Sequence, residues 1–384
     1  RDTPNAKAHR RYRDRMNTHS ITCALLLAAA CTGDGKELTV DPMYNVTEGG
    51  IPVLGGTHHT VFRGERDVSG YNNHAYLAHH AGRFWAIWSS SASDGAHTGQ
   101  CVRFATSDDG RDWSDAGEVM PPPDEGYYIA RGLWLHRGRL LALAARCTGE
   151  TTQTEVAALE TYQWRPDRDA WEPSGSIGAE LINNYPPIQL PSGQWLMPYR
   201  KGELNRVDGV LLGGVEAVDC WRHIPIPSST PDRFTEANAV VRADGSIGVH
   251  LRDNHREGYL FRSVSTDGGE SFPEPVQTNF PDCKSKHYCF RLSDGMYILI
   301  NNPDSRKTLR VSSSPDGKVF TSTAILRQNP PKVRNPGHDK SASYTYPHAI
   351  EHAGAVHIIY AVNRDDIGIT RIRLNTIAET LGHR

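Results

Sequence analysis

A short turn carrying glycine, followed by alternating apolar residues, recurs six times along the chain and constrains its fold more than any other feature. The copies are His80-Ala81-Gly82-Arg83-Phe84-Trp85, His136-Arg137-Gly138-Arg139-Leu140-Leu141, Pro191-Ser192-Gly193-Gln194-Trp195-Leu196, Ala243-Asp244-Gly245-Ser246-Ile247, Ser293-Asp294-Gly295-Met296-Tyr297 and His352-Ala353-Gly354-Ala355-Val356. Each reads as a β-hairpin. The glycines fall at 82, 138, 193, 245, 295 and 354, with intervals of 56, 55, 52, 50 and 59 residues. That period fits a four-stranded unit with loops of variable length, and repetition of such a unit predicts an all-β propeller. The balance of 35 Gly and 24 Pro with only 8% aromatic residues suits many short strands joined by tight turns.

A second motif keeps the same register. Ser265-Thr266-Asp267-Gly268-Gly269-Glu270-Ser271-Phe272 fits Ser-x-Asp-x-Gly-x-x-Trp/Phe. Ser107-Asp108-Asp109-Gly110-Arg111-Asp112-Trp113 and Ser314-Pro315-Asp316-Gly317-Lys318-Val319-Phe320 are versions shorter by one residue, and Arg165 to Trp171 is a worn copy. Here Asp and Ser hydrogen-bond the local backbone, Gly takes positive φ, and the aromatic plugs between blades. The motif resembles the Asp-box of sialidase-like propellers, and its residues are expected on outer-strand turns, away from the chemistry. Six markers count six blades directly, yet Val46 to Gly70 could supply part of another, and seven is the expected number. The tail from Ile367 to Leu374, completed by an early strand near Leu38 to Val40, is expected to close the ring, with one catalytic domain from 38 to 376 and no interdomain linker.

The first 31 residues read as upstream sequence and an export signal. Met16 begins a polar stretch, Ile21 to Ala30 is an apolar run, and Ala28-Ala29-Ala30-Cys31 offers small residues at a cleavage point. The run falls short of the ~20 apolar residues that span a bilayer. Cys31 is either the lipidated residue of a bacterial lipoprotein or incidental to a plain signal peptide. The expected location is secreted, periplasmic or anchored to the outer membrane, without a membrane span and as a monomer. Forty-two Lys and Arg against 44 Asp and Glu leave a formal charge of −2, so no broad positive field exists to gather nucleic acid. An acidic ligand would have to be met by local arginines.

Chemistry is expected in the central depression, where inner strands converge. Sialidases neutralise a substrate carboxylate with three arginines and pair a Tyr with a Glu as nucleophile; Arg131, Arg200 and Arg252, with Glu236 and Tyr346, are present at suggestive places. No early Arg-Ile-Pro segment or acid loop accompanies them. Histidine beside Asn and Arg stands out instead: Asn73-His74, His97, Arg131, Asn183-Asn184-Tyr185 and Tyr346-Pro347-His348. In Gly70 to Trp113, Asn183 to Arg200 and Leu251 to Asn302 the chain resembles the propeller-fold ulvan and rhamnosyl-glucuronate lyases and the related rhamnosidases. That resemblance implies a polysaccharide lyase acting on an acidic, uronate-containing polysaccharide or oligosaccharide by β-elimination, with no cofactor needed for catalysis. It assigns the base to His74, the acid to Tyr185 and carboxylate recognition to Arg131 and Arg200. Asn73, His97, Asn184, Arg252, Tyr346 and His348 would contact substrate. Each has a structural alternative: a satisfied strand histidine, inter-blade packing for the tyrosines, rim ion pairs for the arginines. An exo-glycosidase and a carbohydrate-binding propeller without chemistry are the competing functions.

Five cysteines follow the leader: Cys101, Cys147, Cys220, Cys283 and Cys289. The odd number leaves at least one unpaired. Cys283 and Cys289, with His287 between them and His255 earlier, could hold a structural zinc, against the alternatives of a disulfide or buried thiols.

Overall fold

The computed structural model describes residues 40–47, 49–95, 98–149, 156–201, 207–230 and 232–382. The leader with Cys31, and His97, lie outside them. The described chain forms six antiparallel four-stranded sheets, the third with an interrupted inner strand. They are the blades of a sialidase-like propeller. The first comprises Tyr71–His80, Arg83–Ser91, Cys101–Ser107 and Gly117–Met120, and the second begins with Tyr127–His136 and Arg139–Cys147. Leu181–Asn183 and Ile188–Gln189 share the inner edge of the third. Phe234–Val241, Tyr288–Arg291 and Tyr344–His352 are the inner strands of the fourth, fifth and sixth.

The expected seventh blade is absent from these sheets, and the reason lies in the segment thought to supply it. Residues 57 to 63 form the outer strand of the sixth blade, paired antiparallel with Asp366–Arg373 from Thr57↔Arg371 to Arg63↔Asp366. Closure is therefore made by Thr57–Arg63 rather than by a strand near residues 38–40. The preceding stretch straps the outer edges of two other blades, with parallel bridges Asp41↔Thr278, Tyr44↔Phe320 and Val53↔Ile325. Asn279 Oδ1 accepts from the backbone amides of Met43 and Tyr44, both at 2.8 Å, and Arg262 Nε donates to Asp41 at 2.6 Å. Such a strap blunts edge strands that would otherwise recruit another chain. After the last strand the chain turns into a helix, Leu374–Leu381, not anticipated from sequence, which buries Ile377 and Leu381. No helix among the described residues is long and apolar enough to cross a membrane.

The six hairpin markers divide by turn chemistry. At Ala81-Gly82, Arg137-Gly138 and Ala353-Gly354 both residues have positive φ, the two-residue turn that matches strand twist. At Gly193, Gly245 and Gly295 only the glycine does, and its amide closes back on Leu190, Arg242 and Leu292 at 2.9, 3.0 and 3.0 Å. Apolar residues pack in clusters between neighbouring blades, such as Trp85 and Ile87 with Leu140 and Ala142. This explains strands that are apolar on both faces.

The Asp-boxes sit between third and fourth strands, at the rim. Ser265 Oγ donates to Asp267 at 2.7 Å and accepts from Gly269 N at 2.9 Å, while Asp267 accepts from Ser271 N at 3.1 Å. Asp109 and Asp316 repeat the pattern, and Phe272 and Phe320 are buried plugs.

Candidate active site

Four inner strands share one irregularity. Register shifts fall at Asn73/Tyr76, Ala130/Gly132, Thr235/Asn238 and Thr345/His348. Inside three of them a non-glycine residue takes positive φ: His74 at 54°, Glu236 at 51° and Tyr346 at 60°. Such a conformation costs on the order of 1–3 kcal/mol per residue and persists only when the surroundings enforce it. A bulge re-aims a side chain that regular alternation would bury between blades. His74, Arg131, Glu236 and Tyr346 are the residues so displaced, and they meet groups from the remaining blades at the axis.

Contacts and fields define the cluster. The rings of His74 and Tyr346 meet edge to face, centroids 4.8 Å apart. Arg131 donates to Asn184 Oδ1 at 3.5 Å, and the Tyr76 hydroxyl donates to the Asn184 carbonyl at 2.7 Å. Glu236 is ion-paired with Arg252. Burial would raise the Glu236 carboxyl, but Arg252 and Arg200 outweigh it and hold it at about 2. Burial, and then the adjacent Arg131, bring Arg200 down to about 10. His74 is held well below the ordinary histidine value by burial and by Arg131, Arg364 and Arg200, so its imidazole is neutral at neutral pH. Its Nδ1 lies 3.5 Å from Ser89 Oγ, which also accepts from Ala130 N at 2.9 Å.

The structure brings His74, Arg131, Asn184, Arg200, Arg252 and Tyr346 into this cluster. Asn73, buried beside it, donates to the Tyr71 hydroxyl at 3.1 Å. Tyr185 is placed differently from the expected acid: its hydroxyl donates to the carbonyls of His287 and, at 3.2 Å, Pro347. Burial first, then Tyr76 and Glu236, push that phenol well above its usual range. His348 sits deeper. Its Nδ1 accepts from Leu77 N at 3.2 Å, and it faces a cavity of about 430 Å³ shared with Trp134, Trp195 and His352, toward the C-terminal ends of the inner strands. A substrate-contacting role with Tyr346 does not follow from that position.

The zinc expectation fails on placement. Among the described residues no group of three or more His, Cys, Asp or Glu side chains could hold a metal ion. Cys289 is packed among Val240, Leu260 and Phe280, His255 is exposed, and His287 is buried against His250 with ring centroids 6.3 Å apart. Cys101, Cys147, Cys220, Cys283 and Cys289 are all free thiols.

Two central residues escaped sequence reasoning. Lys286 lies between Cys283 and His287, and the metal-like spacing around it drew attention from the lysine. Arg364 sits in the last hairpin, its guanidinium 5.9 Å from the Tyr346 ring centroid. The neighbouring Asn363 and Arg364 both have positive φ, a feature visible only in the backbone.

A six-bladed ring with polar groups from every blade gathered at its axis defines a propeller of the class built from Asp-box repeats. The chain belongs to the BNR repeat-like domain family, whose model matches residues 82–358. No curated protein matches it. Among solved structures, a sialidase shares 19% identity over 87% of this chain, with TM-score 0.66, and this chain spans only 35% of that one. A protein of unknown function from Dyadobacter fermentans shares 13% over 82% of this chain and 99% of its own, with TM-score 0.66. A leech intramolecular trans-sialidase, complexed with 2,7-anhydro-Neu5Ac, shares 12% over 85% and 71%, with TM-score 0.64. At these identities the likeness is one of fold.

Proposed function

We propose that the chain is a carbohydrate-active enzyme that cleaves a carboxylated glycan, by β-elimination at a 4-linked uronate. The observation that carries this reading is a neutral His74, in edge contact with Tyr346, among guanidinium groups, with the nearby carboxylate Glu236 already paired with Arg252. Arg131 and Arg200 repel each other across a buried site, and an anion seated between them relieves that repulsion.

A hydroxyl has two acceptor positions, so Ser89 can take both the Ala130 amide and His74 Nδ1–H, the tautomer that leaves Nε2 basic. Nε2 then removes the C5 proton. The carbanion charge delocalises into the carboxylate held by Arg131 and Arg200, the C4–C5 double bond forms, and the C4–O bond breaks. Tyr346, whose hydroxyl, unlike that of Tyr185, is not tied to a backbone carbonyl among the described residues, returns a proton to the leaving oxygen. Export and an anchor at Cys31 belong to the same reading, since polymeric glycans are met outside the cell.

A hydrolytic reading, with Tyr346 as nucleophile and Glu236 as its base, is favoured by one observation. Both side chains are held at the axis by the same type of bulge, in a fold shared with sialidases. A panel of uronate and sialate glycans separates the readings. Elimination makes a conjugated unsaturated uronate that absorbs in the ultraviolet; release of reducing sugar without absorbance indicates hydrolysis; retention of the glycan without cleavage indicates binding alone.

A further inference from the structure

Lys286 is fully buried at the centre of the ring, and no carboxylate among the described residues lies within ion-pairing distance of its Nζ. A buried ammonium without a counter-ion is strongly disfavoured. Nζ donates to the Tyr76 hydroxyl at 2.8 Å and stands 4.4 and 4.2 Å from the ring centroids of Tyr76 and Tyr185, with Tyr346 at 5.8 Å. The loop that carries it is pinned from below: Asp282 accepts from the amides of Lys284 and Ser285 at 3.0 and 3.2 Å, and Ser285 donates to Asn302 at 2.8 Å. The lysine therefore cannot withdraw to solvent.

The charged and titratable groups around it come from every side. Arg131 and Arg200, from the second and third blades, oppose its protonation; Glu236, from the fourth, favours it but is engaged by Arg252. On the first and sixth blades, His74 and His348 are neutral imidazoles, depressed first by burial.

We propose that Lys286 is a specificity-determining residue that couples occupation of the depression by a carboxylate to uptake of one proton: an amine in the empty site, an ammonium beneath the bound anion. This rests on the reading of the site as one for a carboxylated sugar. A carboxylate between Arg131 and Arg200 cancels the charges that keep the amine unprotonated, and the tyrosine faces then hold the ammonium. A neutral sugar leaves those charges uncompensated, so the site selects for the anion through the proton as well as through the arginines.

Two measurements test this. In calorimetry at pH 7.5 with methyl glucuronide, which has no leaving group at O4, the heat should differ between phosphate and Tris by about one proton's ionisation enthalpy per site. Lys286→Met and Lys286→Arg, shown to be folded by thermal unfolding, should bind without that buffer dependence. Buffer-independent binding by the wild type, or an unchanged proton uptake in Lys286→Met, overturns the coupling and leaves the carboxylated-sugar reading standing. Lysine ¹³Cε NMR addresses the residue without sugar. The resonance missing from Lys286→Met should have the shift of an unprotonated amine at pH 7.5 and move to that of an ammonium in saturating acetate. A resonance that is already that of an ammonium at pH 7.5 overturns the inference whatever the site binds. If the resonance behaves as expected but the glucuronide does not bind, the sugar reading fails and the anion-coupled lysine stands.

Discussion

The rim and the hub of this ring use the same polar residue types to opposite ends. At the rim, Asp267 accepts from Ser265 and from the amide and hydroxyl of Ser271, and Ser265 takes the amide of Gly269. The backbone there is a turn that glycine makes easy. At the hub, non-glycine residues hold positive φ, Arg131 Nε is buried with no partner, and one carboxylate faces several guanidinium groups. A polar group that is fully bonded contributes to stability, whereas one held strained and underbonded is available to a ligand. The contrast teaches where in such a repeat to look for chemistry: at the interruptions of the inner strands rather than at the motif that repeats most faithfully.

The largest effect should come from the base. His74→Ala should lower turnover on a cleaved uronate glycan by about 10²–10⁴-fold while the chain still folds, which thermal unfolding checks. Near-normal elimination by that variant would remove the hub side of the contrast. Arg200→Ala follows. Losing one charge-stabilising donor should reduce kcat/KM by roughly 10²-fold, with KM raised and kcat lowered together, because the carboxylate gains charge in the transition state. A change in KM alone would assign Arg200 to ground-state binding.

A smaller effect concerns pH. A histidine with the ordinary value of about 6.5 is about nine-tenths protonated at pH 5.5, a roughly tenfold loss of base. Because burial and the surrounding arginines depress His74, the acid limb of kcat/KM should lie below that value, and most activity should persist at pH 5.5. Initial rates must be used, since stability changes in the same window. Burial holds His287 and His357 at about 4 and His348 at about 3 in the folded chain. The unfolded chain takes up protons at about 6.5, before these do, so their stabilisation is complete above that pH and is lost as pH falls toward 4. Glu236, held at about 2, adds stability above its unfolded value that is lost only between about 4.5 and 2.

Sequence carried the rim better than the hub for a physical reason. Hairpin glycines and Asp-boxes are local: their hydrogen bonds join residues two to four apart, as Ser265 with Gly269 shows, so the pattern is written contiguously. Blade number failed because closure joins Thr57 to Arg371, and no local signal marks which early segment will complete the last sheet. At the hub, His74, Arg131 and Arg200 stood out by residue type, but the acid role was given to Tyr185 and only a substrate contact to Tyr346. A one-residue bulge sends Tyr346 to the axis, while the Tyr185 hydroxyl meets the carbonyls of His287 and Pro347 from distant blades. Lys286 was invisible because its meaning is the absence of a counter-ion, which only the fold decides.

The smallest effect tests the rim. Ser265 is buried, and its Oγ both accepts from Gly269 N at 2.9 Å and donates to Asp267 at 2.7 Å. Ser265→Ala leaves the amide of Gly269, a buried residue, without its acceptor. An unsatisfied buried amide costs about 1–3 kcal/mol, lowering the denaturation midpoint while the m-value stays constant, since the same surface is exposed on unfolding. Catalysis should not change, because the turn lies on outer strands and shares no contact with His74 or Tyr346. Loss of activity at constant stability would mean that rim and hub communicate through the blade, and the division drawn here between bonded and underbonded polar groups would no longer separate stability from function.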